Sequence, residues 1–172
     1  KSYLESPIKA LKSLGTRVHI DWTNNTPGFK FNEWEMKGVP LRMEVGPRDI
    51  KNDQVVVARR DRKEKIFLSK KDISSEVPKL LKTIQDYLFA QAKKFRDENT
   101  FSVSSYQEFC SIIEIGGFVR CGWNGSSKTE LKIKEDTKAT IRCIPFNENP
   151  DGKDCILSGE PAKHEVIFAK AY

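Results

Sequence analysis

The stretch PGFKFNEWEMKGVPLRMEVGPRD, which runs from Pro27 to Asp49, decides the fold because it encodes a helix, a strand and a turn in succession. Thr26 offers an N-cap hydroxyl, and Pro27 has the fixed φ angle that suits the first position of a helix. Gly38 and Pro40 are residues at which helices end. The sequence therefore predicts a helix of about three turns here, closed before Gly38.

A strand follows this helix. Apolar and charged side chains alternate with the two-residue period of a strand that has one buried face. The apolar set is Leu41, Met43 and Val45, and the charged set is Arg42 and Glu44. Gly46 to Asp49 favours a turn. We therefore expect Arg42 to lie on the face of the sheet that is turned away from the core.

Outward from this stretch, helical and strand patterns alternate. We predict strands where Val18, Ile20 and Trp22 alternate with polar residues, at Gln54 to Ala58, and at Ile66 to Leu68, followed by a long amphipathic helix over 75–96. This predicts a mixed β-sheet with flanking helices over residues 1–99. Smaller elements then predict a small α+β domain over residues 100–172.

The composition is that of a globular chain with a basic excess. It has 172 residues, a formal net charge of +6 and four cysteines. No apolar run approaches the 18 residues that suggest a membrane span, and no secretory signal is visible, so we expect a cytoplasmic protein with free thiols and no membrane partner. The positive charge suits a polyanionic partner but does not identify one.

The quoted stretch resembles the anticodon-binding domain of prolyl-tRNA synthetases. Two later segments agree in the same order: ATIRCIPF (Ala139 to Phe146), and SGEPAK (Ser158 to Lys163) running into the terminal FAKAY. The last segment resembles the archaeal and eukaryotic type of the family. By this resemblance the chain begins just after the first strand of the anticodon domain, so we expect that strand to be missing.

The resemblance implies a class II enzyme that activates proline with ATP and Mg²⁺ and charges tRNA(Pro). Its catalytic domain would precede these residues, and the complete enzyme would be a homodimer. This chain contains no candidate for the ATP-binding arginines and no phosphate-binding glycine loop. His19 and His164 are isolated on predicted strands, with no Ser or Cys in a pattern that would make either histidine catalytic. We expect the fragment to lack catalytic residues and cofactors of its own and to be inactive in aminoacylation.

The resemblance also implies which residues contact the anticodon: Glu35, Arg42, Arg48 and Lys65. Proline anticodons end in two guanines, whose O6 and N7 accept hydrogen bonds from Arg or Lys and whose N1–H and N2–H suit a carboxylate. Phosphate contacts are expected from Lys30, Lys37, Arg59 and Arg62. The alternative is that these charges form only a solvated surface.

Family members often bind zinc through a C-x4-C pair and a C-x2-C pair. In this sequence the corresponding positions are Asn124, Thr129, Cys155 and Ser158. A structural zinc site needs four N, S or O donors, usually Cys or His. We therefore expect no zinc.

Two further expectations concern the end of the chain and its independence. By resemblance, Tyr172 is the natural C-terminus and its carboxylate lies near the active site of the intact enzyme. The rival hypotheses are a freestanding scaffold or RNA chaperone without a synthetase, and a zinc-dependent regulator, which the missing ligands weaken. An upstream reading frame that encodes a class II core would favour the synthetase.

Overall fold

Two compact units, Lys1–Gln91 and Ala92–Tyr172, make up the chain. The computed structural model describes residues 2–170. The division falls inside the longest helix, α4 (Ile73–Glu98), whereas the sequence predicted a boundary after residue 99. None of the helices in the described part is long and apolar enough to cross a membrane.

The first unit is built on a small antiparallel sheet. Its strands β1, β2 and β3 lie side by side in chain order. Besides the start of α4, the unit contains α1 (Glu5–Ser13), α2 (Pro27–Met36), β1 (Leu41–Glu44), α3 (Pro47–Lys51), β2 (Gln54–Arg59) and β3 (Lys65–Ser69). A short turn joins β2 to β3 and helix α3 joins β1 to β2, and short connections of this kind place sequential strands next to each other.

Local signals account for the elements around the quoted stretch. The hydroxyl of Thr26 accepts a hydrogen bond from the backbone N–H of Phe29, and Pro27 is the first residue of α2, as predicted. Gly38, which follows the helix, has a φ of 81°, a conformation that only glycine adopts at little cost. The predicted turn after β1 is instead the short helix α3.

One face of the three-stranded sheet forms the core of the first unit. The buried cluster consists of Leu11, Val55, Val57, Ile73 and Val77. Leu41, Met43, Ile66 and Leu68 pack against it from the sheet. The opposite face of the sheet carries the charged residues of β1 together with Lys65 and Phe67 of β3.

The strand predicted around Val18 to Trp22 is wrong. Residues 16–23 have no strand conformation, and Ile20 and Trp22 are 36% and 57% exposed. Alternation indicates a face but supplies no partner strand, and a strand needs a neighbour about 4.8 Å away to satisfy its backbone groups. Val18 still packs against the core as a loop residue.

The second unit has a mixed sheet in the order β4, β5, β7, β6. After α4 its elements are β4 (Thr100–Ser102), α5 (Tyr106–Ile115), β5 (Phe118–Trp123), α6 (Ser127–Thr137), β6 (Ala139–Cys143) and β7 (His164–Lys170). Only the pair of β4 and β5 is parallel among the described strands. The predicted strand at Cys155 is a single β-bridge to Gly122.

The core of the second unit lies between this sheet and helices α5 and α6. Phe109 on α5 and Phe168 on β7 meet edge to face, with ring centroids 5.2 Å apart, an arrangement that aromatic pairs favour. The predicted fold class, a mixed β-sheet with flanking helices followed by a small α+β domain, is confirmed as an α/β arrangement, except that the three described strands of the first unit are all antiparallel.

Candidate nucleic-acid interface

The open face of the three-stranded sheet carries two rows of side chains. Strand register places Arg42 opposite Ala58 and Ala58 opposite Lys65. It places Glu44 opposite Val56 and Val56 opposite Phe67. Two of the predicted anticodon contacts, Arg42 and Lys65, are therefore in the same row although they are 23 positions apart in the sequence.

A network of ion pairs joins three of the four predicted anticodon residues, Glu35, Arg42 and Lys65, with Glu44 as its fourth member. Glu44 Oε1 accepts hydrogen bonds from Arg42 Nε at 3.1 Å and Nη2 at 3.0 Å, and Glu44 Oε2 accepts one from Lys65 Nζ at 3.0 Å. Arg42 Nη1 donates to Glu35 Oε1 at 2.8 Å. Two carboxylates and two cations thus form one cluster with no net formal charge.

Arg42 is the fixed centre of this cluster. Its side chain is 19% exposed, and its guanidinium carbon lies 3.8 Å from the centroid of the Phe31 ring on α2. The planar guanidinium stacks on aromatic faces in this way. Because Phe31 supports one face and two carboxylates hold the edges, the orientation of Arg42 is set before any ligand binds.

The cluster keeps hydrogen-bonding capacity for a ligand. Arg42 has five N–H donors, and three of them serve Glu35 and Glu44, so two are left. The side chains of Glu35 and Lys65 are 53% and 52% exposed. Donors and acceptors therefore stand side by side at the open surface, which is the arrangement that the edge of a guanine requires.

Arg48 does not join this cluster. It lies on α3, is exposed, and its side chain makes no ion pair or side-chain hydrogen bond with any residue of the described range 2–170. The sequence pattern located it correctly after β1 but could not tell whether it would reach Arg42.

The four predicted phosphate contacts differ in availability. Lys30 donates to the carbonyl of Thr23 at 2.7 Å and lies 3.4 Å from Asp21 Oδ1, so it fastens the loop that precedes α2. Lys37 is 53% exposed and pairs with Glu33 at 2.7 Å. Arg62 is exposed, with its guanidinium carbon 4.5 Å from the centroid of the Tyr87 ring. Of the four residues, Lys37 and Arg62 are therefore accessible to a phosphate.

Arg59 is buried, which argues against the phosphate role predicted for it. Only 7% of the residue is exposed, and its guanidinium makes a two-point contact with Asp61, at 3.1 Å and 2.7 Å. The hydrogen bonds from Arg59 hold the pKa of the Asp61 carboxyl below its usual value. An arginine engaged in this way has little left for a phosphate.

The neighbouring Arg60 is the exposed member of this arginine pair. Its Nε donates to the backbone carbonyl of Glu35 at 3.1 Å, at the C-terminal end of α2. Trp34, Glu35, Arg42 and Arg60 line a shallow groove beside the charged cluster. Sequence reasoning missed Arg60 because β2 ends at Arg59 and Arg60 begins the turn after it, and the pattern did not reveal which of the two adjacent arginines points outward.

In the second unit, two of the positions that correspond to zinc ligands in the family, Asn124 and Ser158, are hydrogen-bonded to each other and to Glu160. Asn124 Nδ2 donates to Glu160 Oε2 at 2.6 Å and to Ser158 Oγ at 3.3 Å. Thr129 is buried. One thiol with an amide and two hydroxyls does not match the donor set of structural zinc. Within residues 2–170, no three His, Cys, Asp or Glu side chains are grouped to hold a metal ion.

The thiol of Cys155 lies among several hydrogen-bond donors. Burial opposes its ionisation, but hydrogen bonds from the hydroxyl of Ser158 and from the backbone N–H groups of Ser158, Leu157 and Asn124 together lower the pKa of the thiol. Burial raises the pKa of nearby Cys121 to about 12. The remaining cysteines, like these two, are free thiols.

A second buried ionic group went unnoticed in the sequence. Glu165 on β7 is 2% exposed and pairs with Arg120 of β5 and with Lys153. It also accepts from the backbone N–H of Asn149 at 3.2 Å. This carboxylate ties the loop between β6 and β7 to the sheet. The predicted role of Tyr172 falls outside the described residues.

Comparison with known families gives one match within each of the two units. Residues 1–80 match the family model described as "Anticodon binding domain". Residues 106–172 match the model described as "Prolyl-tRNA synthetase, C-terminal".

Curated relatives carry the name Proline--tRNA ligase. The chain is 47% identical over 157 residues to Proline--tRNA ligase 2 of Bacillus thuringiensis strain Al Hakam, which covers 91% of the chain and 33% of that relative. It is 48% identical over 166 residues to the ligase of Acetoanaerobium sticklandii, with 95% and 34% covered. For the ligase of Christiangramia forsetii the identity is 41% over 167 residues, with 96% and 34% covered.

The chain thus spans about a third of the length of the curated relatives that it matches. The two matched domains follow each other in the order that the sequence resemblance implied. The chain thus resembles an anticodon-binding domain followed by the C-terminal domain of prolyl-tRNA synthetases.

Proposed function

We propose that this chain recognises the anticodon of tRNA(Pro) as the C-terminal part of a proline–tRNA ligase. The observation that carries the proposal is the cluster of Glu35, Arg42, Glu44 and Lys65 on the open face of the sheet. It lies in the unit that matches an anticodon-binding domain.

The chemistry of the cluster suits two adjacent guanines in an unstacked loop, where base edges are accessible. Glu35 accepts from guanine N1–H and N2–H through its exposed carboxylate. The two remaining N–H groups of Arg42 and the ammonium group of Lys65 donate to O6 and N7. Arg48, free on α3, serves as a further donor at the edge of this site.

Phosphate contacts surround the base-reading cluster and contribute affinity without sequence information. Lys37, Arg62 and Arg60 are exposed and carry this role. Lys30, which holds the loop before α2, adds a weaker electrostatic attraction for the phosphates. Arg59 is left out of this role because it is committed to Asp61.

The complete enzyme would activate proline with ATP and Mg²⁺ in a catalytic domain outside this sequence, and transfer it to tRNA(Pro) in the cytoplasm. We propose that it is a homodimer of the archaeal and eukaryotic type. The type rests on the terminal segment resemblance and not on the source of the relatives, which are bacterial. The isolated chain would bind tRNA without charging it.

Binding of the isolated chain to RNA tests the proposal. A transcript of tRNA(Pro), the same transcript with one anticodon G replaced by C, and an unrelated tRNA are compared at one fixed salt concentration, because salt alone changes such affinities strongly. We expect the unaltered transcript to bind at least about fivefold more tightly than either other RNA, in line with about 1–3 kcal/mol for each lost base contact. Equal affinity for all three would refute anticodon recognition.

A further inference from the structure

Phe67 is a large aromatic side chain that the fold turns outward. Its neighbours on β3, Ile66 and Leu68, pack against the core of the first unit. Since successive residues of a strand point to opposite faces, Phe67 must lie on the open face. It is 65% exposed there.

The position of Phe67 relates it directly to the charged cluster. It is two residues from Lys65 on the same strand, so the two side chains leave the sheet roughly 7 Å apart on the same face. Across the sheet, half-buried Val56 separates it from Glu44. Phe67 and Val56 thus form an apolar shelf beside a site that offers hydrogen-bond donors and acceptors.

We propose that the ring of Phe67 stacks on an unpaired nucleobase of the RNA, next to the base whose edge the charged cluster reads. This inference rests on the proposed function. Stacking on an aromatic ring accepts any base, because every base has a π-face. Phe67 would therefore raise affinity without choosing sequence.

Several observations favour a nucleobase over a protein partner. The shelf consists of two side chains and is far smaller than the roughly 800 Å² per partner that stable protein interfaces bury. Its borders are Lys65 and Glu44, which suits a flat ring with polar edges. Phe31 is the other aromatic residue at this cluster, but the guanidinium carbon of Arg42 already lies 3.8 Å from the centroid of its ring. The ring of Phe67 is therefore the one with a face available to a base.

The net charge of the chain also favours a nucleic-acid partner. A formal charge of +6 attracts a polyanion, and Arg60, Arg62 and Lys37 lie exposed on the same unit. Single-stranded RNA binding commonly joins basic side chains that follow the backbone to aromatic rings on which the bases stack. Both parts are present in the first unit.

The test uses the whole chain, Phe67→Ala, Phe67→Leu and Phe67→Trp, and two hairpin RNAs: the tRNA(Pro) anticodon stem-loop with GG and the same loop with one G replaced by C. Phe67→Ala should weaken binding of both RNAs by the same factor, between about 5- and 100-fold. Phe67→Leu keeps an apolar side chain without a ring and should behave like Phe67→Ala. Phe67→Trp should bind like the parent chain.

The outcomes separate this inference from the proposed function. If the parent chain shows no preference for GG, anticodon recognition itself fails. If the parent prefers GG and Phe67→Ala binds both hairpins as tightly as the parent, only the stacking role fails. A loss confined to the GG hairpin would overturn sequence-independent stacking.

Sedimentation velocity without RNA tests the alternative that a second copy of the chain occupies the shelf. Should Phe67→Ala abolish self-association of the chain while RNA affinity stays unchanged, the shelf is a protein contact and the inference is wrong. Thermal melts of all variants verify folding, and an exposed side chain should change stability little.

Discussion

Glu44 Oε1 accepts two hydrogen bonds from the guanidinium of Arg42, from Nε at 3.1 Å and from Nη2 at 3.0 Å. Both residues lie on β1, two positions apart, and therefore on the same face of the sheet. The side chains are only 19% and 22% exposed, so water competes weakly for these bonds. Arg42 is thereby aimed at Glu35 and the solvent beyond it before any ligand binds.

We predict that Glu44→Gln lowers discrimination between GG and altered anticodons without weakening binding overall. The amide keeps the shape of the carboxylate but removes a charge, so Arg42 and Lys65 are held less firmly and the site gains one net positive charge. Titrations of both hairpin RNAs at several salt concentrations should give a smaller affinity ratio and a steeper salt dependence. Glu33→Gln, which removes the partner of Lys37, is the control; an unchanged ratio in Glu44→Gln would contradict a positioning role.

Glu35→Ala and Arg42→Ala should each weaken binding to the GG hairpin by about 1–3 kcal/mol and reduce the preference for it. The reason is that each substitution removes a hydrogen-bonding partner of the guanine edge, and that partner is poorly replaced. Lys37→Ala, by contrast, should weaken both RNAs alike. Full retention of the GG preference in Glu35→Ala and Arg42→Ala would reassign these residues to an ordinary charged surface.

The two adjacent arginines should respond in opposite ways. Arg60→Ala should leave the melting temperature nearly unchanged and make the slope of log affinity against log salt less steep by about 0.7 to 1, the effect of one lost phosphate contact. Arg59→Ala should destabilise the fold because Asp61 would remain buried without its partner. A salt slope that is unchanged in Arg60→Ala would remove it from the phosphate set.

Asp61→Asn should show a pH-dependent loss of stability. The folded-state pKa of Asp61 lies below its ordinary value, so its contribution is present above pH 4 and is lost as the pH falls through the folded pKa. At pH 7 the variant should unfold with about 3 kcal/mol less free energy than the parent, because a buried arginine loses its counter-ion. Urea unfolding at pH 7 and near pH 3 tests this, and the difference should shrink at the lower pH; an equal difference at both would refute the ion-pair explanation.

The protein should contain no stoichiometric zinc after dialysis. Asn124, Ser158 and Glu160 are hydrogen-bonded to one another where thiolates would have to converge on a metal. Elemental analysis, run beside a known structural zinc protein, measures this directly. About one zinc per chain would show that Cys155 recruits ligands other than those considered.

Much of the fold was predictable because its signals are local. The N-cap Thr26, the stop at Gly38 and the alternation from Leu41 to Val45 specified α2 and β1 almost to the residue. The long apolar stripe of α4 did the same over seven turns. The short strand β4 was missed because three residues, Thr100–Ser102, carry no recognisable period.

By itself, the sequence predicted the resemblance to prolyl-tRNA synthetases, the order of the two domains and three members of the charged cluster: Glu35, Arg42 and Lys65. Only the tertiary structure decided that Glu44 joins them, because that depends on the register of three strands. It also decided that Arg60 and not Arg59 faces the solvent, and that Phe67 lies beside Lys65 on an open surface. The physical reason is that a periodic pattern defines which residues share a face, whereas pairing between distant strands defines which faces meet and which remain uncovered.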